Sequence, residues 1–159
     1  MTTIEIVEAD LGQAHHQSAV VELLNRFAID RTGQPLSAEI RTGLMSGLQK
    51  HPTTIVFLAY REDEAIGIAV CFQGFSTFAA RPLLNIHDFF VLPKNRGQGA
   101  GQQLLVTIER RAREMDCCKL TLEVQENNHR ARQVYKAAGF GEVEYLDSEG
   151  NLISLSKTL

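Results

Sequence analysis

The sequence is organised around the stretch IHDFFVLPKNRGQGAGQQLLVTIERRAREM, residues 86–115. A half-apolar strand is predicted to end at Pro93, and a glycine-dense turn, RGQGAG, follows at residues 96–101. The spacing of apolar residues after this turn predicts an amphipathic helix. Glycines let a ligand approach the backbone and expose several N–H groups together, and the positive end of the helix dipole points to the same place. The stretch therefore predicts a binding site for a phosphate group.

Length and charge narrow the class of protein. The chain has 159 residues, the length of one domain, so we expect a single domain over residues 1–159. Its formal net charge is -3 at pH 7, and no run of five or six residues carries charges of one sign. Because proteins that bind nucleic acid usually carry a basic patch, nucleic acid is not expected as a partner.

The N-terminal residues MTTIEIVEAD have neither the basic segment nor the apolar segment of a secretory signal. No apolar run approaches the ~18 residues that a membrane helix needs. We therefore expect a cytoplasmic protein without a membrane partner. The three cysteines, Cys71, Cys117 and Cys118, lack the spacing of a metal site, so no metal is expected, and they are interpreted as small buried hydrophobes.

Strands and helices are predicted on both sides of the central stretch. Residue patterns predict strands at 3–7, 53–60, 65–72, 119–124, 140–146 and 152–157. They predict further helices at about 11–29, at 37–51 and from Asn128 to Gly139, with Asp10, Ser37 and Asn128 as N-caps. Residues 73–85 show no period and are predicted to be irregular. The whole pattern is that of an α/β domain with mostly antiparallel strands and one parallel strand–helix–strand unit.

Three known kinds of phosphate-binding turn are candidates for the central glycines. A P-loop needs GxxxxGK followed by Ser or Thr, and the turn has no suitably placed lysine. A dinucleotide fingerprint needs GxGxxG, but Gln102 stands where its third glycine belongs. The remaining pattern is Arg or Gln, two residues, Gly, one residue, then Gly or Ala, between a strand and a helix. Arg96, Gly99 and Gly101 satisfy this pattern in full.

Two motifs resemble one known family. VLPKNRGQGAGQQLL, residues 91–105, resembles the acetyl-CoA pyrophosphate loop of the GNAT superfamily of N-acetyltransferases. LEVQENNHRARQVYKAAGF, residues 122–140, is similar to the second signature of that family, with Asn128, Ala131, Tyr135 and a closing Gly-Phe pair. The predicted order of elements also matches, so the resemblance covers essentially the whole chain. It implies an α/β (α+β) GNAT-like fold, a central mixed but mostly antiparallel sheet of six to seven strands flanked by about four helices.

The resemblance also implies which residues bind the cofactor. The loop residues whose backbone N–H groups would bind the pyrophosphate of coenzyme A are Arg96, Gly97, Gln98, Gly99, Ala100 and Gly101. In the family the central strand splays at a bulge, and the pantetheine arm fills the gap. By this comparison Phe90 and Val91 offer backbone groups to the arm, and the Val91 N–H polarises the thioester carbonyl. Asn128 would bond the end of the pantetheine.

The same resemblance implies catalytic roles, and for each role the residues leave an alternative open. Tyr135 would be the general acid beside the sulfur, although a tyrosine on an apolar helix stripe can also be a core residue. An amine must lose a proton before it attacks, and the base is taken as Asp88 first and Glu123 second. His87 and an ordered water are the other candidates. Alternation along the strand puts Asp88 and Phe90 on one face, unless a bulge interrupts it.

The resemblance thus implies an acyltransferase, an acetyl-CoA-dependent N-acetyltransferase. The acetyl group would pass to a primary amine, on a small molecule or on a peptide or protein, by direct attack in a ternary complex. The alternative is a non-catalytic coenzyme A-binding sensor or interaction module on the same fold, and a nucleotide-binding oxidoreductase comes third. The sequence does not identify the amine. Strand or hairpin exchange would allow a homodimer.

Overall fold

The computed structural model describes residues 2–159, without the side chain of Glu142. The strands of this part of the chain are Ile4–Glu8 (β1), Thr54–Arg61 (β2), Glu64–Ser76 (β3), Arg81–Val91 (β4), Lys119–Gln125 (β5), Glu142–Tyr145 (β6) and Leu152–Thr158 (β7). Its α-helices are Ala14–Thr32 (α1), Ala38–Lys50 (α2), Ala100–Glu114 (α3) and His129–Ala137 (α4). None of these helices has the length and apolar character needed to cross a membrane.

The seven described strands form one open sheet in the order β1-β2-β3-β4-β5-β7-β6. The pairs β1 with β2, β5 with β7 and β6 with β7 are antiparallel. Strands β4 and β5 are parallel and are joined through three residue pairs that end at Ile86 and Leu122, whereas β4 itself continues to Val91. The predicted mixed, mostly antiparallel sheet with about four helices is confirmed.

The chain divides into two compact units. The first comprises the chain up to Val70 together with Asp88–Leu104, and it contains the glycine turn. Its largest fully buried side chains come from α1, β2, β3 and the start of α3: Val20, Leu23, Phe57, Leu58, Ile66, Ile68 and Leu104. Burial of these apolar side chains supplies most of the stability of the unit.

The second unit comprises Cys71–His87 and Leu105–Leu159. Its fully buried large side chains are Leu84, Ile108, Leu120, Leu122 and Ile153. Cys71 and Cys117 are buried and Cys118 is half-buried, so the cysteines lie largely where the sequence predicts. Among the described residues no cluster of three or more His, Cys, Asp or Glu side chains is placed to hold a metal ion. The single domain over residues 1–159 stays a prediction.

The prediction of irregular structure at residues 73–85 is wrong. Strand β3 continues to Ser76 and β4 already begins at Arg81, so a turn of four residues joins them. Ala80 in this turn has φ 51°, a left-handed conformation that helps to reverse the chain. Backbone pairing in a hairpin does not require alternating hydrophobicity, which explains why the residue pattern failed to indicate these strand ends.

The start of α1 also differs from the prediction. Asp10 is not the N-cap, because the helix begins at Ala14 and Gln13 occupies the cap position without a side-chain bond. Asp10 instead closes a turn before the helix, where its carboxylate accepts from the Gly12 N–H at 2.9 Å and the Gln13 amide at 3.1 Å. Asp side chains often bond nearby backbone in this way, so a good cap residue can lie outside the helix. Ser37 does cap α2, as predicted, and accepts from the Ile40 N–H at 3.2 Å.

One lysine joins three elements of the second unit. The Lys157 ammonium in β7 donates to the Glu109 carboxylate of α3 at 2.5 Å and to the Ala138 carbonyl at the end of α4 at 2.8 Å. Its stem passes Gly139, where φ is +96° and a Cβ would lie 3.1 Å from the Lys157 Cε. Burial alone would raise the pKa of Glu109, but hydrogen bonds and charge from Lys157 and Arg113 together lower it.

Replacing Lys157 with Met should lower the free energy of unfolding by about 1–3 kcal/mol, because Glu109 and the helix end lose a charged donor. The lowered pKa of Glu109 stabilises the fold only while that carboxylate is ionised. The difference from wild type should therefore be full at neutral pH and shrink as the pH falls below 4.5, the ordinary value for this group. Urea unfolding at several pH values tests this, with the exposed Lys50→Met as control. Equal loss in both variants would contradict the assignment.

Candidate functional site

The glycine turn has the backbone shape of an anion site. Gly97 and Gly99 have φ values of 73° and 95°, the left-handed region that favours glycine. Helix α3 begins directly afterwards, and the Gly99 carbonyl accepts from the Gln103 N–H at 3.0 Å. The first N–H groups of any helix have no intrahelical carbonyl to bond, and the helix dipole adds positive charge there. The turn therefore offers donors and positive potential to an anion.

The space beside these glycines is open. A Cβ built on Gly97 would meet no heavy atom within 4 Å, and one on Gly99 would come no closer than 3.8 Å, to the amide nitrogen of Gln103. Phosphate oxygens have room to approach the backbone at these two positions. The donors, the dipole and the open space together suit an anion such as a phosphate group.

Side chains in the turn and just before it hold the turn to the rest of the first unit. Lys94 forms an ion pair of 2.6 Å with Glu64, in β3. Gln98 accepts from the Arg61 guanidinium at 2.6 Å and donates to the Lys94 carbonyl at 3.1 Å. The turn is thus anchored by its side chains while its backbone is available for a ligand. Such preorganisation lowers the entropy lost when a ligand binds.

The Arg96 side chain contacts three residues, Val91, Asp30 and Phe90. Its Nε donates to the Val91 carbonyl at 2.9 Å, and its Nη2 forms an ion pair of 3.0 Å with Asp30, in α1. The guanidinium carbon lies 5.6 Å from the centre of the Phe90 ring, which stacks on Phe27 at 5.2 Å. The sequence predicted a role for the Arg96 backbone and indicated none for its side chain.

The burial pattern of β4 changes towards the end of the strand. Burial alternates as far as His87, which is exposed, but Phe90, Val91 and Leu92 are all buried in succession. Asp88, the first candidate for the base, is half-buried. Residues 66–71 of β3 are likewise buried in succession, so burial at the end of β4 does not test the predicted alternation of faces, which stays a prediction. The bulge itself and the role of Asp88 stay predictions.

Two candidates in the second unit lie on β5 and at the start of α4. Asn128 is the N-cap of α4, and its side chain accepts from the Ala131 N–H at 3.2 Å. This confirms the predicted cap and leaves the pantetheine contact a prediction. Glu123 is exposed on β5, where it is opposite Ser154 of β7. Its role as a base also stays a prediction.

Tyr135 is buried, with 6% of its surface exposed, and its ring lies 5.9 Å from that of Phe140. Burial raises the pKa of Tyr135 well above its ordinary value. The phenol is therefore protonated at neutral pH, which is the state that a general acid requires. The core position and the acid role are compatible.

The raised pKa of Tyr135 gives a direct titration test. Burial raises the pKa of both Tyr60 and Tyr135, and Tyr135 has the larger shift, so phenolate absorbance of the wild-type protein should show Tyr135 as the last tyrosine to ionise, well above the ordinary pKa of about 10. The Tyr135→Phe variant should lose that step, while Tyr145→Phe should retain it. If Tyr135→Phe removed a tyrosine that ionises near the ordinary value, the burial argument for this residue would be wrong.

Comparison with known proteins gives one family. The model of the acetyltransferase (GNAT) family matches residues 18–140. The uncharacterized N-acetyltransferase YhfO of Bacillus subtilis is 29% identical over 99 residues, 62% of this chain and 66% of that protein. Thialysine N-epsilon-acetyltransferase of Bos taurus is 32% identical over 74 residues, 46% of this chain and 43% of that protein. The chain thus spans two thirds or less of these relatives.

Solved structures agree with the fold. The crystal structure of an aminoglycoside acetyltransferase from an uncultured soil metagenomic sample, in complex with sisomicin, has a TM-score of 0.79 at 16% identity. The match covers 91% of this chain and 93% of that one. The family model spans more than half of the chain and includes both the glycine turn and Tyr135, and the chain therefore belongs to the GNAT family of acetyltransferases.

Proposed function

We propose that this protein is an acyltransferase that moves an acetyl group from acetyl-CoA to a primary amine by direct attack in a ternary complex. The observation that carries the proposal is the glycine turn, with left-handed Gly97 and Gly99 at the start of α3 and open space beside them. Membership of the GNAT family supports acetyl-CoA as the ligand. The names of the relatives, which include a thialysine and an aminoglycoside acetyltransferase, support an amine as the acceptor.

The turn would bind the cofactor through its backbone. N–H groups from Arg96 to Gly101 would donate to the pyrophosphate oxygens, and the dipole of α3 would add to the attraction. Asn128 would contact the pantetheine through the part of its amide that does not cap α4. None of these contacts needs a side chain from the turn, which agrees with the use of those side chains as anchors.

Acetyl-CoA supplies a thioester carbonyl that an amine can attack. The Val91 N–H would donate to the oxygen of that carbonyl, and one such donor typically changes kcat about 10²–10³-fold. Tyr135 would give its proton to the departing sulfur. An amine with a pKa of about 10.4 is almost fully protonated at neutral pH, so a base is required. We assign this role first to Asp88 and then to Glu123, acting directly or through water.

The acceptor is proposed only as a primary amine, on a small molecule or on a peptide or protein. Phe75 and Phe78 lie exposed at the β3–β4 hairpin, and Tyr145 is exposed in β6. These apolar surfaces would contact an acceptor that carries apolar groups beside its amine. The cytoplasmic location and a homodimer stay predictions from the sequence.

Replacing Gly99 with Val should weaken binding of coenzyme A, because valine disfavours the φ of +95° and its branches would enter the ligand space. We expect at least about a tenfold loss of affinity by calorimetry, equivalent to about 1.4 kcal/mol. Gly33→Val is the matched control, since Gly33 has a φ of +77° with open space and lies at the end of α1. Retained affinity in Gly99→Val would refute the assignment of the turn.

An amine-dependent thiol-release assay separates the enzyme from a non-catalytic module. We expect release from acetyl-CoA with at least one member of a broad panel of amines. Tyr135→Phe should lower the rate by about 10²-fold or more, because general acids contribute on that order. Binding of coenzyme A without release across the panel would favour a sensor or interaction module. An unchanged rate in Tyr135→Phe would remove the tyrosine from the mechanism.

A further inference from the structure

The peptide group between Val91 and Leu92 is held at both of its polar ends. Its carbonyl, on Val91, accepts from the Arg96 Nε at 2.9 Å. Its N–H, on Leu92, donates to the Ile66 carbonyl of β3 at 2.9 Å. Because a peptide group is planar, two bonds at opposite ends set the orientation of the whole plane. The backbone on the C-terminal side of Val91 is therefore fixed.

The carbonyl of the preceding peptide group, between Phe90 and Val91, faces Gly67 of β3. A Cβ on Gly67 would lie 3.2 Å from the Phe90 carbonyl oxygen, and 3.4 Å from both the Ala59 Cβ and the Leu104 Cδ1. A side chain at position 67 would therefore crowd the Phe90 carbonyl and push it and β3 apart by a few tenths of an ångström. In a trans peptide the N–H points opposite to the carbonyl, so the Val91 N–H is directed away from Gly67.

The Arg96 guanidinium is itself held rigidly. Its ion pair with Asp30 is half-buried, with side-chain exposures of 20% and 33%, and its plane is supported by the Phe90 ring. Asp30 lies in the last turn of α1, where the helix dipole disfavours a carboxylate. Pairing with Arg96 offsets that cost. The arginine is therefore positioned by α1 while it bonds the end of β4.

We propose that the Arg96 side chain is a positioning residue, which orients the backbone at Val91 and thereby its N–H. Gly67 of β3 orients the same backbone from the other side, through the Phe90 carbonyl. Arg96 thus has two separate functions, with its backbone at the pyrophosphate and its side chain at the acetyl end of the site. The inference rests on the proposed function, in which the Val91 N–H polarises the thioester carbonyl. It adds residues that act on the geometry of that donor without contacting the cofactor through their side chains.

The test measures carbonyl polarisation in place of turnover. Acetyl-CoA labelled with ¹³C at the thioester carbonyl is bound to the protein, and its stretching band is read by isotope-edited infrared spectroscopy. In wild type the band should lie below that of free acetyl-CoA. In Arg96→Lys the ammonium can still pair with Asp30, but the separate Nε donor to Val91 is lost. The band should then return towards the free value, while the affinity measured by calorimetry changes little.

Gly67→Ala perturbs the same peptide from the other side and should give the same loss of polarisation. It keeps the test decisive if Arg96→Lys folds poorly. Gly43→Ala, at a position with open space, is the matched control. Once an acceptor is known, kcat should fall by about tenfold or more in both test variants, with a smaller change in KM for acetyl-CoA.

The outcomes separate the inference from the proposed function. A shifted band in wild type that is lost in Arg96→Lys and Gly67→Ala supports the positioning role. A shifted band that persists in both variants overturns that role and leaves the proposed function intact. An unshifted band in the wild-type complex contradicts the Val91 donor, and the inference falls with it. Failure of wild type to bind acetyl-CoA overturns the proposed function itself.

Discussion

The backbone N–H groups at the start of α3 are the constraint on which the rest of the candidate site depends. A helix cannot satisfy its own first donors, so an anion placed there gains several hydrogen bonds and the dipole together. The donors are useful only if no side chain covers them, which accounts for the left-handed Gly97 and Gly99. They also need a rigid turn, which accounts for the bonds that Lys94 and Gln98 make to β2 and β3.

Local chemistry made much of the fold and part of the site predictable from the sequence. The Ser37 and Asn128 caps and the left-handed Gly139 are set by residues within one helical turn, and the structure contains all three. The glycine turn could be predicted in the same way, because its conformation follows from the residues that form it. Asp10 shows where prediction from neighbouring residues fails, because the same carboxylate can either cap a helix or close a turn.

Contacts between distant segments were not predictable. The ion pair of Arg96 with Asp30 and the approach of Gly67 to Phe90 join residues with no signal in their own neighbourhoods. The same holds for Lys157, whose role appears only when β7 lies beside Glu109 and the end of α4. Tyr135 is an intermediate case. Its burial followed from the apolar stripe, whereas the raised pKa requires the packed environment.

The most direct test of the central claim follows backbone amides during a titration with coenzyme A. In ¹⁵N-resolved NMR spectra, binding through the turn should shift the amide signals of residues 96–101 strongly, since these N–H groups would donate to the pyrophosphate. The amides of Gly43 and Gly47 in α2 should change little. Saturable binding of coenzyme A that leaves the signals of residues 96–101 in place would contradict the account.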